Sequence, residues 1–293
     1  MGDYNTAIGT YALRENVVGD RSTAVGYYTL FNQAPSTNAD MYNTAVGYFA
    51  GGAVTTGTNN TFVGALAGDA TDDGINNVAV GYLALSANCG DGNTAIGIDA
   101  LKICTGSTNT ALGKNAGNEA TSGSNNTLIG HDAGKTGSPG GPVQSDSNVL
   151  ALGDENISSS HVQVDWTVSS DQRDKTDFTA LDIGLDFVKA LNPVTYKWDK
   201  RSKYGDKYSE DFDLDKLTPD GTHKEDWLDI GFKAQEVEVI EKAAGYKIAD
   251  KTNLTTHLSK DGKQYGLQYS KFIPILVKAI QELSAEVTKL KGE

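Results

Sequence analysis

The chain has 293 residues, with 25 Lys+Arg against 38 Asp+Glu, a formal net charge of -13, and 33 Gly beside 6 Pro and 2 Cys. That length predicts about two domains, and the acidic balance argues against nucleic acid or anionic lipid as a partner, because phosphate recognition rests on Lys and Arg. No run approaches the ~18 apolar residues of a membrane span and the first residues lack a signal-peptide pattern, so neither membrane insertion nor Sec-type export is expected.

Composition changes near residue 165. Residues 1–169 hold 25 Gly and 20 charged residues, 5 basic against 15 acidic, whereas 170–293 hold 8 Gly and 43 charged residues. The first part is a repeat built on Asn-Thr-Ala-Val-Gly, seen at Asn5 to Gly9, Asn43 to Gly47, Asn60 to Gly64, Asn77 to Gly81, Asn93 to Gly97, Asn109 to Gly113 and Asn126 to Gly130, with Ser22 to Gly26 a variant. The closing glycines are separated by 17, 21, 17, 17, 16, 16 and 17 residues. This period is too short for helical-pair repeats, which run ~33–47 residues.

Within each unit apolar and small residues alternate over a few positions, the signature of a short strand followed by a turn and a second short segment. So short a strand cannot bury an apolar face alone, and stacked copies must share a core, as in a β-solenoid or β-roll. Ala7, Ala24, Ala45, Ala79, Ala95 and Ala111 suit a narrow interior or close contact between chains. The opening Asn suits a turn or a side-chain ladder between rungs. Cys89 and Cys104 belong to no Cys-x-x-Cys pair and read as small packing residues, so neither metal nor cofactor is expected. Asn148 to Gly153 carries a last, longer copy that closes the rod. Gly134-Lys135-Thr136 mimics the end of a phosphate-binding loop, but Ile129 stands where that pattern needs its first Gly.

These repeats resemble the head repeats of trimeric adhesins and the repeats of phage tail fibres, over about residues 3–153. The resemblance implies three chains wound into a rod, which would leave no open sheet edge.

Further along, Ser170-Asp171-Gln172-Arg173-Asp174-Lys175 resembles the Ser-Asp-x-Arg-x-Lys motif of the intramolecular chaperone auto-processing domain at the C-termini of phage tail spikes and fibres. Gly184 to Trp198 is similar to its helix and Pro-Val-x-Tyr strand, Ile230 to Val237 to its Gly-Phe-x-Ala-Gln-Glu-Val segment, and Tyr269 to Leu290 to its terminal helix. The expected fold is therefore a mainly β repeat solenoid over 1–160, followed by an α+β chaperone domain over 161–293 ending in a coiled-coil helix at about 270–291.

A serine hydroxyl needs a base to become a nucleophile. His131, His161, His223 and His257 are scattered and no Gly-x-Ser-x-Gly elbow exists, which leaves a Ser-Lys pair. Lysine serves as a base only when neutral, so it needs desolvation or neighbouring cations to lower its pKa from about 10.4. Arg173 could add to such a field; Asp171 and Asp174 would oppose it if close.

The resemblance implies that Ser170 attacks the carbonyl of Ser169 with Lys175 as base, a single-turnover self-cleavage at Ser169-Ser170 for which proximity supplies much of the rate. The competing reading is a helix cap, with Ser169 and Gln172 at capping-box spacing.

Ile273, Leu276, Ile280, Leu283, Val287 and Leu290 form a heptad seam. Its residue choice favours dimers by simple core rules, the resemblance implies trimers, and an amphipathic helix packed on its own domain is the alternative. The expected product is a homotrimeric virion fibre assembled in the host cytoplasm, with a host-cell receptor or glycan as partner. The alternative is an uncleaved trimeric adhesin, with Tyr11, Tyr27, Tyr28, Tyr48 and Tyr82 stacking on sugars. The same domain also resembles that of myelin regulatory factor, but no basic DNA-binding region accompanies it here.

Overall fold

The computed structural model describes residues 2–163, 166–209 and 211–292. They form two compact units, Met1–Ile157 with Asp206–Leu214, and Ser158–Gly205 with Asp215–Glu293.

The first unit is a parallel β-solenoid. Its main sheet has nine strands among the described residues: Thr6–Ile8, Thr23–Val25, Thr44–Val46, Thr61–Val63, Val78–Val80, Thr94–Ile96, Thr110–Leu112, Thr127–Ile129 and Leu150–Leu152. Every adjacent pair is parallel and in register, so each repeat stacks like on like. The second segment of each repeat is a turn rather than a strand. The exceptions are Gly19–Asp20 and Ala39–Asp40, which pair with each other.

The opening Asn forms a ladder. The side-chain Oδ1 of Asn43, Asn60, Asn77, Asn93 and Asn109 each accepts the backbone N–H of the Asn one rung on, at 2.9–3.0 Å. A second bond runs from Nδ2 to a turn carbonyl, as from Asn60 to Gly74 at 2.8 Å. Buried backbone donors need partners, and this side chain supplies one where the strand has yet to begin.

The closing Gly is fixed by close approach. Gly64 has φ +134°, and a Cβ there would lie 2.6 Å from the carbonyl oxygen of Gly81.

The middle strand position points inward: Ala24, Ala45, Phe62, Ala79, Ala95, Ala111 and Leu128 are fully buried, while Ala7, in the first turn, is exposed. Six residues later each turn places a second inward residue in left-handed conformation, Leu30, Leu85 and Leu101 on some rungs and Gly51, Gly68, Gly117 and Gly134 on others. The two positions compensate in volume. Rungs with Ala24, Ala79 and Ala95 carry Leu, whereas Phe62 fills the space over Gly51 and Gly68, and Leu128 that over Gly117 and Gly134. Cys89 and Cys104 are buried among these residues, and burial pushes the Cys89 thiol up to about 11, as expected for packing residues.

The third strand position points outward. Ile8, Val46, Val63, Ile96, Leu112, Ile129 and Leu152 are exposed, in register along the sheet.

The second unit is α+β. Helix α1, Leu185–Ala190, leads into the strand Val194–Tyr196, which pairs antiparallel with Asp229–Gly231. Helix α2 is Ala234–Ala243, the hairpin Thr256–Leu258/Tyr265–Leu267 follows, and helix α3, Phe272–Lys291, ends the chain.

Ile183, Phe187, Val237, Phe272 and Ile275 form the core. The fully buried Glu241 of α2 accepts from both the backbone and the hydroxyl of Thr255 and Thr256, tying the hairpin to the helix. Helix α1 opens on Gly184, without a side-chain cap of its own. Its Leu185 N–H donates instead to Glu282 of α3 at 2.7 Å, which holds that carboxyl below the usual range.

The packed face of α3 is Phe272, Ile275 and Ala279, a different set from the heptad seam. The seam residues Ile273, Leu276, Ile280, Leu283, Val287 and Leu290 all stay exposed. Packing on its own domain therefore does not account for the seam. Among the described residues no helix is long and apolar enough to cross a membrane.

Candidate functional site

The Ser-Asp-x-Arg-x-Lys segment is shaped by one short turn. Gln172–Asp174 form a 3-10 turn whose cap is Asp171: its carboxylate accepts the backbone N–H of Arg173 at 2.9 Å. The capping role thus falls to Asp171, and neither Ser169 nor Ser170 has it. An Asp at this position satisfies an orphan N–H with a charge-assisted bond, which suits a helix start.

The turn brings residue 175 back over residue 170. Lys175 Nζ donates to Ser170 Oγ at 2.5 Å and lies 3.3 Å from the Ser170 carbonyl oxygen.

Arg173 folds onto Asp171. Its Nη2 is 2.6 Å from one carboxylate oxygen, and its Nε lies 3.0 and 3.2 Å from the two oxygens. The guanidinium beside Asp171 holds that carboxyl below its usual range, and the Arg173 pKa rises in turn. Arg173 is thereby neutralised by Asp171, so it offers Lys175 no unopposed positive field. Ser169, Ser170, Asp171, Arg173 and Lys175 are all exposed.

A second polar cluster lies in the closing turns of the solenoid. His131, Asp132 and Asp154 have ligand atoms within 4.8 Å of one another, a spacing that could hold a metal ion. A lysine ammonium occupies that place: Lys207 Nζ is 2.6 Å from Asp132 Oδ2, 2.9 Å from Glu155 Oε1 and 3.4 Å from Asp154 Oδ2.

Sequence reasoning missed this cluster, although a signal existed. The two residues after each closing glycine are apolar or aromatic in most upper turns (Tyr27-Tyr28, Tyr48-Phe49, Tyr82-Leu83) and become His131-Asp132 and Asp154-Glu155 in the last two. The Lys135 of the phosphate-loop decoy is buried, with its ammonium 4.3 Å from the centre of the Tyr208 ring, a cation–π contact.

Residues 170–246, about a quarter of the chain, match the family model described as the chaperone of endosialidase, a peptidase family. No curated protein and no solved structure matches the chain. The family is autoproteolytic and implies trimeric fibres. Residues 170–246 are therefore a chaperone-of-endosialidase domain preceded by a parallel β-solenoid, and the chain fits a phage tail fibre or spike with a C-terminal intramolecular chaperone.

Proposed function

We propose that the chain is a homotrimeric fibre segment of a virion, assembled in the host cytoplasm, whose residues 161–293 template the folding of residues 1–160, after which a cut before Ser170 releases residues 170–293. The observation that carries this reading is the 2.5 Å contact between Lys175 Nζ and Ser170 Oγ. In addition, the family match opens at Ser170.

In the proposed step, Lys175 first gives up a proton to become the neutral amine; Ser170 Oγ then attacks the Ser169 carbonyl carbon while that amine takes the hydroxyl proton. The Ser169-Ser170 C–N bond breaks, and the proton passes to the departing Ser170 amine. Water then hydrolyses the resulting ester, which frees the Ser169 carboxylate and restores the Ser170 hydroxyl. Nucleophile and scissile bond share one residue junction, so proximity replaces a binding step. A Ser-Lys pair works best out of water, and both residues are exposed in the single chain. Assembly would supply the missing cover, which makes cleavage follow trimerisation. A kinetically trapped fibre is the benefit, because three chains must come into register before their mutual contacts form, which is slow without a template.

Intact-mass measurement of the purified protein beside Ser170→Ala and Lys175→Ala tests this. Fragments 1–169 and 170–293 from the wild type, with both variants whole, are expected. An assembled but uncut wild type would sink the catalytic assignment and leave a permanent trimerisation domain.

One observation favours receptor contact as a second role of the same fibre. Tyr11, Tyr27 and Tyr48 are exposed after three successive strands and Tyr82 is exposed two strands further on, and Tyr27 stacks on Tyr48 at 5.7 Å with rings 6° from parallel. Flat aromatic faces of this kind suit a sugar ring. Loss of host-cell binding in Tyr27→Ala/Tyr48→Ala, with the trimer intact, is the expected outcome.

A further inference from the structure

The segment Asp206–Leu214 lies downstream of Ser170 in sequence but packs within the solenoid unit. Its anchor is the cluster around Lys207. The side chains of Asp132, Asp154 and Glu155 are 1, 7 and 7 % exposed and that of Lys207 is 12 % exposed.

Asp132 also accepts from Asn115 Nδ2 at 2.8 Å and from the Tyr208 hydroxyl at 3.0 Å. Asp154 accepts from Asn156 Nδ2 at 2.8 Å and lies 3.2 Å from His131 Nδ1. The Tyr208 hydroxyl lies 3.5 Å from His131 Nε2, and the Lys135 ammonium sits against the Tyr208 ring.

Stacked rungs place like positions about 4.8 Å apart. Acidic residues on successive rungs repel, and burial makes the repulsion worse unless a cation intervenes. The last two turns are therefore built for a cationic ligand, and the aromatic contact beside it suits a Lys-Tyr pair.

We propose that the closing turns of the solenoid form a lysine-binding pocket, and that the Lys207-Tyr208 segment is its ligand and keeps the C-terminal fragment attached after the chain is cut upstream. A single cut at Ser169-Ser170 would then separate the fragments covalently without releasing them. The proposal rests on the self-cleavage reading only for the natural origin of that cut.

The Asp132 and Asp154 carboxylates and the Lys207 ammonium of this latch keep their charges at neutral pH. Burial opposes the charge on Asp132 and Asp154, but the bonds from Lys207 and Asn115 to the first, and from Asn156 and His131 to the second, outweigh it and hold both carboxyls below the ordinary 3.8. Burial likewise opposes the Lys207 charge, and its bonds to Asp132 and Glu155 outweigh it, raising the ammonium above its ordinary 10.5. The carboxylate contribution is present above 3.8 and lost only as pH falls below it. The lysine contribution is present below 10.5 and lost only as pH rises beyond it.

The test uses the full chain with Ser170→Ala to block self-cutting and an exogenous protease site replacing the exposed residues 158–162. After protease cutting, the two fragments are expected to co-elute on native size exclusion. Lys207→Ala, which takes the cation away from three buried carboxylates, should weaken retention at least about thirtyfold. Tyr208→Phe, which keeps the charge and removes two hydrogen bonds, should weaken it about tenfold or less.

Thermal melts of the uncut variants show whether the solenoid still folds, and Tyr208→Phe remains informative if Lys207→Ala does not. Immediate separation of the cut parent, or equal retention by both variants, would overturn the latch. If the wild type never cuts itself but protease-cut fragments stay together, the latch stands and the self-cleavage reading falls. Self-cut fragments that part at once give the reverse result.

Discussion

The volume exchange inside the solenoid makes a sharp prediction at Phe62. This ring is fully buried, and a Cβ placed on Gly51 or Gly68 would lie 2.8 or 2.4 Å from it. Phe62→Ala removes the largest of the fully buried side chains, and such a truncation costs about 3–5 kcal/mol. Gly68→Leu alone drives a side chain into the ring, at about 1–3 kcal/mol for overpacking plus about 1–2 kcal/mol for a non-glycine left-handed residue.

The two changes together recreate the Ala-and-Leu pattern that the chain already uses at Ala79 with Leu85, where Leu85 has φ +53°. Burial of the new leucine returns about 1.5–3 kcal/mol, so the double variant should lose only about 2–4 kcal/mol. The sum of the single losses is about 5–10 kcal/mol, which leaves a favourable coupling of at least about 2 kcal/mol. Thermal melts followed by circular dichroism read this as an order, with the wild type highest, the double variant next and Phe62→Ala roughly 5–15 °C below the wild type. Additive losses, or a double variant below both singles, would refute the claim that the two positions share one volume.

Three other outcomes follow from the same structure. Asn60→Ala strips the buried Asn77 N–H of its acceptor and the Gly74 carbonyl of a donor. It should cost about 2–5 kcal/mol, whereas Thr56→Ala at an exposed turn position should shift the melt by less than about 0.5 kcal/mol. Ile280→Asp places a charge on the exposed seam of α3 and leaves the Ile275 face untouched; light scattering should show assembly lost while circular dichroism retains the helical signal. Retention of Lys207 in its carboxylate pocket, followed as co-elution of the protease-cut fragments, should survive at pH 7 and weaken only as pH falls below the ordinary carboxylate value of 3.8 or rises beyond the ordinary lysine value of 10.5, because the Asp132 and Asp154 pKa values are depressed and that of Lys207 is raised.

The number and register of the rungs could be read from the chain because the closing glycine recurs at nearly the pitch of one turn, and each copy faces the same neighbours. The exchange between residues such as Phe62 and Gly68 was not legible. It couples positions six apart through a shared interior, and neither local alternation nor propensity reports on that volume. Asp171 was overlooked as the cap because Ser169 and Gln172 offered a better-known spacing, while the turn begins two residues later. The partnership of Lys207 with Asp132 joins residues far apart in sequence, and no period connects them. The acidic substitutions after Gly130 and Gly153 were visible, but without the structure nothing identified their counter-charge.

Assembly ties these observations together. Each unit on its own leaves an apolar stripe uncovered: the in-register column Ile8, Val46, Val63, Ile96, Leu112, Ile129 and Leu152 on the solenoid, and the seam from Ile273 to Leu290 on α3. Fully burying such a side chain is worth about 1.5–3 kcal/mol, and these are already half covered, so each holds roughly 1 kcal/mol in reserve. The seven column residues and six seam residues named here then offer on the order of 10 kcal/mol per chain. That is comparable to the cost of fixing one chain against others, about 4–15 kcal/mol, so neither stripe alone is generous and the two together suffice. A chain whose two units must both associate would trimerise slowly through the solenoid and more quickly through a preformed helix. The chaperone family, which implies trimeric fibres, is compatible with that order. Under the proposed self-cleavage, the helix seam would have completed its work once the column is buried in a fibre, and cutting at Ser169-Ser170 would remove the easiest route back.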